Sequence, residues 1–392
     1  MDFTRVTITT KKSSHAKKFG KLIFDDGTVL DGEGFGFSTT VFGEVVFNTG
    51  MVGYTEALTD PSYKGQILTL TYPLVGNYGV PDSSIKDTDG IPKFFESDKI
   101  QIRGLVVHEL SLTASHWNLV MTLDEWMYNE KIPGISGIDT RDLTKKIRNG
   151  GVMMAALVVS DSEIDVEEVK KQLVSAPHYD SEQFMDDVST KQEMIYGDEN
   201  QSVVVIDTGA KNAIIRNVRE LGYKVIRLPW NTSYEKIMSY HPKGVVLSSG
   251  PGDPQKCPDT IQVAKQLIEN NMPTLGICLG AQIIGIAGNT DTYKLKYGHR
   301  GQNKPCVNLE NNQVYVTSQN HGYGITPDSL AKSEFNLWFT NADDKTVEGI
   351  KHKKQKCIAV QFHPEAAPGP YDCKFVFEEL RHLMEENPSA KK

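Results

Sequence analysis

The chain has no pair of cysteines at C-x-x-C spacing, and its cysteines are few and odd in number: Cys257, Cys278, Cys306, Cys357 and Cys373. That argues against a disulfide framework or a structural zinc site and fits a reducing compartment. No apolar run approaches the ~20 residues a membrane-spanning helix needs. There is no long basic run, and the formal net charge is −8, so nothing suggests a nucleic-acid footprint. Neither G-x-x-x-x-G-K-[ST] nor a strand followed by G-x-G-x-x-G occurs, so no nucleotide-phosphate cradle is expected here. Internal repeats and low-complexity tracts are missing too.

What is present divides in two, and 392 residues suit two domains better than one. Residues 1–20 read as a flexible arm. Its lysines and hydroxyl side chains, with one acid (Asp2) and one arginine, leave a mitochondrial transit peptide open beside the cytoplasmic location expected. Residues 21–160 carry short β-rich segments with turn signals, and helical pattern near 123–130 and 142–148. Residues 161–200 are acidic and polar and read as a linker with a helical start at 163–173. From residue 201 to 386 strand and helix patterns alternate: strands at 203–206, 224–228, 244–247 and 274–277, helices at 212–221 and 260–270. Such alternation predicts an α/β domain, a mostly parallel sheet with helices on both faces, preceded by a smaller mixed β-rich domain. Residues 387–392 are left as a tail.

The most informative stretch is Gly276-Ile277-Cys278-Leu279-Gly280. An apolar strand ends there and a helix pattern begins at once, with small residues flanking one nucleophile. This is the layout of a nucleophile elbow, with Cys278 in the place of serine. The helix start turns free N–H groups and a positive dipole end toward the sulfur, and both favour the thiolate. The competing reading is a buried cysteine acting as a small hydrophobe.

A second piece, Gln361-Phe362-His363-Pro364-Glu365, follows another apolar strand. Residues two apart in extended chain share a side, so His363 and Glu365 can face one site. A cysteine nucleophile needs a base, and the base works best when oriented by a third group. Two loops complete the set. Gly250-Pro251-Gly252-Asp253-Pro254 exposes backbone N–H groups able to bind an oxyanion. Ser318-Gln319-Asn320-His321-Gly322-Tyr323 is a polar cluster able to hold an amino-acid substrate. Taken alone, each is equally a plain loop or turn.

These four segments, in this order, resemble the class I (triad) glutamine amidotransferases. Residues 43–63, with Gly50-Met51-Val52-Gly53-Tyr54 at their centre, together with 70–79, 115–117 and 137–144, narrow the resemblance to the carbamoyl-phosphate synthetase small subunit, over roughly residues 20–385. The wording of several segments is nearest the eukaryotic pyrimidine-pathway form; an arginine-pathway subunit is the near alternative. The resemblance implies a glutamine-hydrolysing carbamoyl-phosphate synthase component, with Cys278, His363 and Glu365 as the triad. It implies glutamine contacts at Gly50, Gly250, Gly252, Leu279, Gln282, Asn320, Gly322 and Tyr323, with the backbone N–H groups of Leu279 and Gly252 holding the oxyanion. It implies no metal or cofactor in this chain, ATP and Mg being used by a large synthetase partner that docks on the N-terminal domain. Nucleic acid and membrane are not expected partners. Three positions depart from the family pattern: Ala281 replaces a common His, Gly50 a Ser found in some relatives, and Ser249 a frequent Asn. A silent scaffold relative, or a hydrolase of γ-glutamyl bonds without a partner, shares parts of this pattern. The retained triad residues argue against the first and the N-terminal signature against the second.

Overall fold

The computed structural model describes residues 18–386; the tail at 387–392 and residues 1–17, most of the expected arm, lie outside the described residues. The first strand, Lys18–Phe24, begins within the arm's expected bounds.

The N-terminal part closes into a barrel in the order Lys18–Phe24, Met153–Ser160, Thr40–Asn48, Gln66–Leu70, Gly104–Val106, Pro133–Ser136 and Val29–Gly36. Alternation along each strand divides its side chains between two faces. Val45 and Phe47 join Leu22, Phe24, Ile67 and Leu157 in one cluster, closed by Leu143 and Ile147 of helix Thr140–Gly150. Val46, Leu68 and Leu105 face the other way, onto Trp126 and Met127 of helix Leu123–Asn129. That helix starts with a capping box, in which Thr122 and Glu125 each satisfy the other's backbone N–H.

The C-terminal part is a ten-stranded sheet. Its core is parallel: Lys224–Pro229, Ser202–Asp207, Gly244–Leu247, Thr274–Ile277 and Cys357–Val360, in that order. Their central residues are mostly apolar because both faces are covered, and the charged exceptions Asp207 and Arg227 pair with each other at 2.7 Å. Val204 and Ile206 pack on helices Pro258–Glu269 and Leu279–Ala287, whereas Val203 and Val205 pack on helices Asn212–Glu220 and Phe375–Glu385. Beyond Cys357–Val360 the sheet continues antiparallel through Val347–His352, Phe335–Asn341, Thr292–Asn308 and Val314–Ile325. This extension carries residues 318–323 within strand Val314–Ile325, paired to Thr292–Asn308 and not in the loop the sequence suggested, near the parallel strands' carboxyl ends, where ligands of such sheets bind.

Segment 161–200 is more than a bare connection. It holds helix Val166–Ser175, a 3₁₀ turn Tyr179–Ser181, helix Met185–Val188 and edge strand Met194–Tyr196, which pairs with Lys224–Pro229. Its acidity hides that packing, since the buried apolar residues, Ile164, Val169, Leu173, Tyr179, Phe184, Met185, Val188 and Tyr196, are scattered among charged ones.

Candidate active site

Strand Thr274–Ile277 delivers Cys278 into a turn with φ 54° and ψ −105°, outside the comfortable range of a side-chain-bearing residue. The surroundings hold it there. The Cys278 N–H donates to the Val360 carbonyl at 2.8 Å, and the Gly280 N–H to that of Ser248 at 3.0 Å. The flanking glycines are required by space: a Cβ on Gly276 would lie 2.6 Å from the Gly280 carbonyl oxygen, and one on Gly280 2.2 Å from that of Leu247. Helix Leu279–Ala287 starts at once, so its first N–H groups, Leu279's among them, have no intrahelical partner. Ala281 is buried in the apolar cluster with Leu247 and Ile284.

His363 follows strand Cys357–Val360 and is pinned by its own N–H, which donates to the Ser318 carbonyl at 2.8 Å. Its Nδ1 lies 2.6 Å from Glu365 Oε1, and both side chains are buried. That contact fixes the imidazole and leaves Nε2 without a hydrogen-bond partner. The Cys278 thiol rests with Sγ 3.6 Å from the Asn320 carbonyl and 3.7 Å from Gln361 Nε2. Catalytic hydrogen bonds of this kind commonly tighten only with substrate bound. Burial alone would lower the affinity of His363 for a proton; the Glu365 carboxylate and the Cys278 sulfur override it and hold the imidazole well above its usual value. Burial pushes Glu365 the other way, upward. The Lys211 cation, 3.2 Å from Oε1, and His363 outweigh that and bring the carboxyl down to about 2. Lys211 Nζ also donates to the Ala366 carbonyl at 2.8 Å, so its position is set from both sides.

A cleft opens beside the thiol. Of the expected glutamine contacts, Gly250, Gly252, Gln282, Asn320, Gly322 and Tyr323 line it together with Cys278. Gln282, one helical turn past Cys278, donates through Nε2 to the Tyr323 carbonyl at 2.9 Å and to Gln361 Oε1 at 3.1 Å. Leu279 is buried in the core with its side chain against Gly250 and is not among the residues that line the cleft. Gly50 stands outside this cleft. It lines a neighbouring depression with Asn48 and Gln302, and its N–H donates to Asn48 Oδ1 at 2.6 Å. The Gly252 N–H donates to the Tyr179 hydroxyl at 3.1 Å, so the loop proposed for the oxyanion is held by segment 161–200.

Several residues here escaped the sequence reading. Asp180 accepts from the Tyr323 hydroxyl at 2.9 Å and from Lys294 Nζ at 2.6 Å, and Lys294 also reaches Glu44 of the barrel at 2.7 Å. Asp60, on the barrel side, accepts from Asn320 Nδ2 at 3.0 Å. Only Lys211 carried a readable signal: it follows strand Ser202–Asp207 at the same sheet edge as Cys278. Ser249 donates to the Gly209 carbonyl at 3.3 Å.

The side chains of His299, His321 and Glu348 lie close enough together to suggest a metal. Protein partners engage part of the cluster, while His299 Nδ1 and Glu348 Oε2 have no hydrogen-bond partner among the described residues. His299 sits 2.7 Å from Asp344 and 3.4 Å from Glu348, and although burial opposes a proton on it, those carboxylates hold its affinity for one above the usual value. A second, roomier cleft lies between Phe95 and Trp126 on one side and Tyr196 and Arg227 on the other, with neither Cys278 nor His363 in its wall.

A family model described as class-I glutamine amidotransferase matches residues 204–383, and one described as the carbamoyl-phosphate synthase small chain, CPSase domain, matches residues 22–157. The carbamoyl phosphate synthase small chain of Pyrococcus furiosus is 46% identical over 371 residues, covering 94% of this chain and 98% of that one. That of Methanopyrus kandleri is 43% identical over 368 residues, covering 93% and 99%. That of Sulfurisphaera tokodaii is 43% identical over 369 residues, covering 94% and 97%.

Proposed function

Since this chain belongs to the carbamoyl-phosphate synthase small-chain family, we propose a mechanism centred on Cys278, His363 and Glu365. The chain is the glutaminase component of a glutamine-dependent carbamoyl-phosphate synthase. The Cys278 sulfur attacks the carboxamide carbon of glutamine while His363 Nε2 accepts the thiol proton. Backbone N–H groups of Leu279 and Gly252 receive the oxyanion of the tetrahedral intermediate. His363 then protonates the departing nitrogen, ammonia leaves, and a γ-glutamyl thioester remains on Cys278. Water, deprotonated by the same imidazole, attacks that thioester and releases glutamate. Glu365 keeps the imidazole in the tautomer that presents Nε2 and offsets its positive charge, and Lys211 positions Glu365.

The observation that carries this reading is the buried His363–Glu365 pair at 2.6 Å with Nε2 unspent, beside a cysteine on a strand-to-helix elbow. Free ammonia in neutral water becomes ammonium, a poor nucleophile, so its use requires direct transfer. The recipient is a large synthetase chain or domain that uses ATP and Mg to make carbamoyl phosphate from bicarbonate, for pyrimidine or arginine synthesis. A cytoplasmic location follows from that role; no helix among the described residues is long and apolar enough to cross a membrane.

Cys278→Ser tests the assignment. Glutamate release should vanish, while synthesis from added ammonia by the assembled complex should persist, because that chemistry lies in the partner. Glutamine turnover surviving the substitution would remove Cys278 from the mechanism.

A further inference from the structure

Three buried side chains of the antiparallel extension gather unused lone pairs in one place. His299 and His321 stand directly opposite each other in the register of strands Thr292–Asn308 and Val314–Ile325, and Glu348 comes from strand Val347–His352. Each offers a ligand atom, and the three atoms lie within 4.8 Å of one another. The hydrogen bonds decide which nitrogens are free. His299 Nε2 lies 2.7 Å from the Asp344 carboxylate, which accepts, so Nε2 carries a proton and Nδ1 is left without a hydrogen-bond partner among the described residues. His321 Nδ1 lies 2.8 Å from the Tyr323 carbonyl, which also accepts. Burial, with His299 and Arg300 nearby, keeps that ring neutral, so its Nε2 is a lone pair. It meets another acceptor. Gln319 Nε2 donates to Thr317 Oγ1 at 3.1 Å, and the Thr317 hydroxyl is itself spent on the Lys304 carbonyl at 2.8 Å. The amide is thereby fixed with Oε1 3.3 Å from His321 Nε2. Glu348 Oε2 also lacks a hydrogen-bond partner among the described residues. Buried polar atoms left unpaired are costly, and all of these want a cation.

We propose that His299, His321 and Glu348 bind a zinc ion through Nδ1, Nε2 and Oε2. Each imidazole gives its far N–H to an oxygen, of Asp344 or of Tyr323, which is how metal-bound histidines are oriented. Two imidazoles and one carboxylate suit zinc, whereas magnesium and calcium take oxygens. Zinc–ligand bonds of about 2.1 Å set ligand atoms roughly 3.4 Å apart, so the side chains need draw in by only about an ångström each. The carboxylates that favour a second proton on His299 attract a divalent cation for the same reason. The site goes beyond the family resemblance, which implies no metal in this chain, and it does not depend on the glutaminase reading. It adjoins that chemistry all the same. His321 follows Asn320, whose carbonyl touches the Cys278 sulfur, so the ion would tie the wall of the cleft to strand Val347–His352.

The test uses the full chain as Cys278→Ser, which removes the cleft thiol as a rival ligand; the other four cysteines are buried. The chain is stripped with EDTA, exchanged into chelator-free buffer and titrated with zinc against a chromophoric chelator. One equivalent should bind, and zinc, but not magnesium, should raise the melting temperature, since an ion held by the folded chain alone stabilises it. Glu348→Gln, which removes the charged ligand, and Asp344→Asn, which changes only the group orienting His299, should each weaken zinc roughly 10- to 100-fold. Asp344 lies at the surface, so its variant keeps the test open should Glu348→Gln fail to fold. Binding of less than one equivalent would overturn the proposal. So would zinc affinity and melting shift unchanged by Asp344→Asn, because the ion would then be held elsewhere on the chain.

Discussion

His363 and Glu365 are buried together, so each alters the charge the other can hold. Glu365 has its carboxyl at about 2 in the folded chain against 4.5 for the free group, so its contribution to stability is present above pH 4.5 and fades as pH falls toward 2. His363 is shifted upward from 6.5, so its contribution is complete below pH 6.5 and is lost as pH rises through the folded value. Glu365→Gln removes the acid and leaves burial as the main influence on the imidazole. The wild-type advantage over Glu365→Gln should therefore be largest between pH 4.5 and 6.5 and shrink on either side. Urea unfolding of both chains across pH 3–9 reads this, and an advantage independent of pH would mean that the pair is not ionic. The same pair orders two activity losses. His363→Asn removes the base, a step worth 10²–10⁴-fold, whereas Glu365→Gln keeps a hydrogen-bonding partner of the same shape. Single-turnover thioester formation should fall further in the first. A His363→Asn chain that formed thioester at the wild-type rate would point to another base.

The elbow shows what a sequence reveals about an element and what it hides. Gly276, Cys278 and Gly280 were readable because the turn's steric demands permit little else, and the carbonyl oxygens of Gly280 and Leu247 supply those demands. Gly280→Ala should push the helix off strand Gly244–Leu247, costing about 1–3 kcal/mol in stability and most of the thioester-forming rate; a near-wild-type chain would show the elbow to be slack. The parallel core was readable for a similar reason, because apolar runs such as 203–206 alternate with the helical face of Ile214 and Val218. Segment 161–200 was not. Tyr179 and Asp180 work from one 3₁₀ turn through a hydroxyl and a carboxylate, and a one-dimensional pattern does not show that Gly252 and Tyr323 wait across the cleft. Gly50 differs in the opposite direction: the resemblance implies a glutamine contact, and the fold sets it beside Gln302, outside the wall of the cleft that holds Cys278. The Tyr179 contact has a consequence. Gly252 cannot donate its N–H to an oxyanion while giving it to the Tyr179 hydroxyl. Tyr179→Phe keeps the ring against Phe184 and frees the N–H, so kcat for glutamine should rise severalfold, the value of one neutral hydrogen bond, with KM little changed. A fall in kcat would instead make the hydroxyl a donor to the intermediate.

At the scale of the molecule, the change of pattern near residue 200 announced two domains but not how firmly they join. The barrel side docks on helix Asn212–Glu220 through Glu96, which accepts from the Ala213 N–H at 2.9 Å and from Arg216 at 2.8 Å. It also enters the cleft: Ser62 and Glu44 are in its wall, and Asp60 holds Asn320. The glutamine site is therefore completed by the domain expected to carry the synthetase, and a shift of the barrel on docking would be felt at Asn320, whose carbonyl receives the Cys278 thiol. Asp60 is the residue where this can be tested. Asp60→Ala leaves the Asn320 amide without its acceptor, so strand Val314–Ile325 loosens around Asn320 while the triad, with Lys211 beside Glu365, stays intact. Glutamine KM should rise by about tenfold, the worth of one hydrogen bond to a charged group. Any acceleration of glutamate release by the synthetase should weaken as well, because the link from barrel to that strand is cut. Alkylation of Cys278 by iodoacetamide in the isolated chain should proceed at the wild-type rate. If Asp60→Ala kept full acceleration by the partner, the signal would have to cross the junction elsewhere, and Glu96 would be the next residue to change.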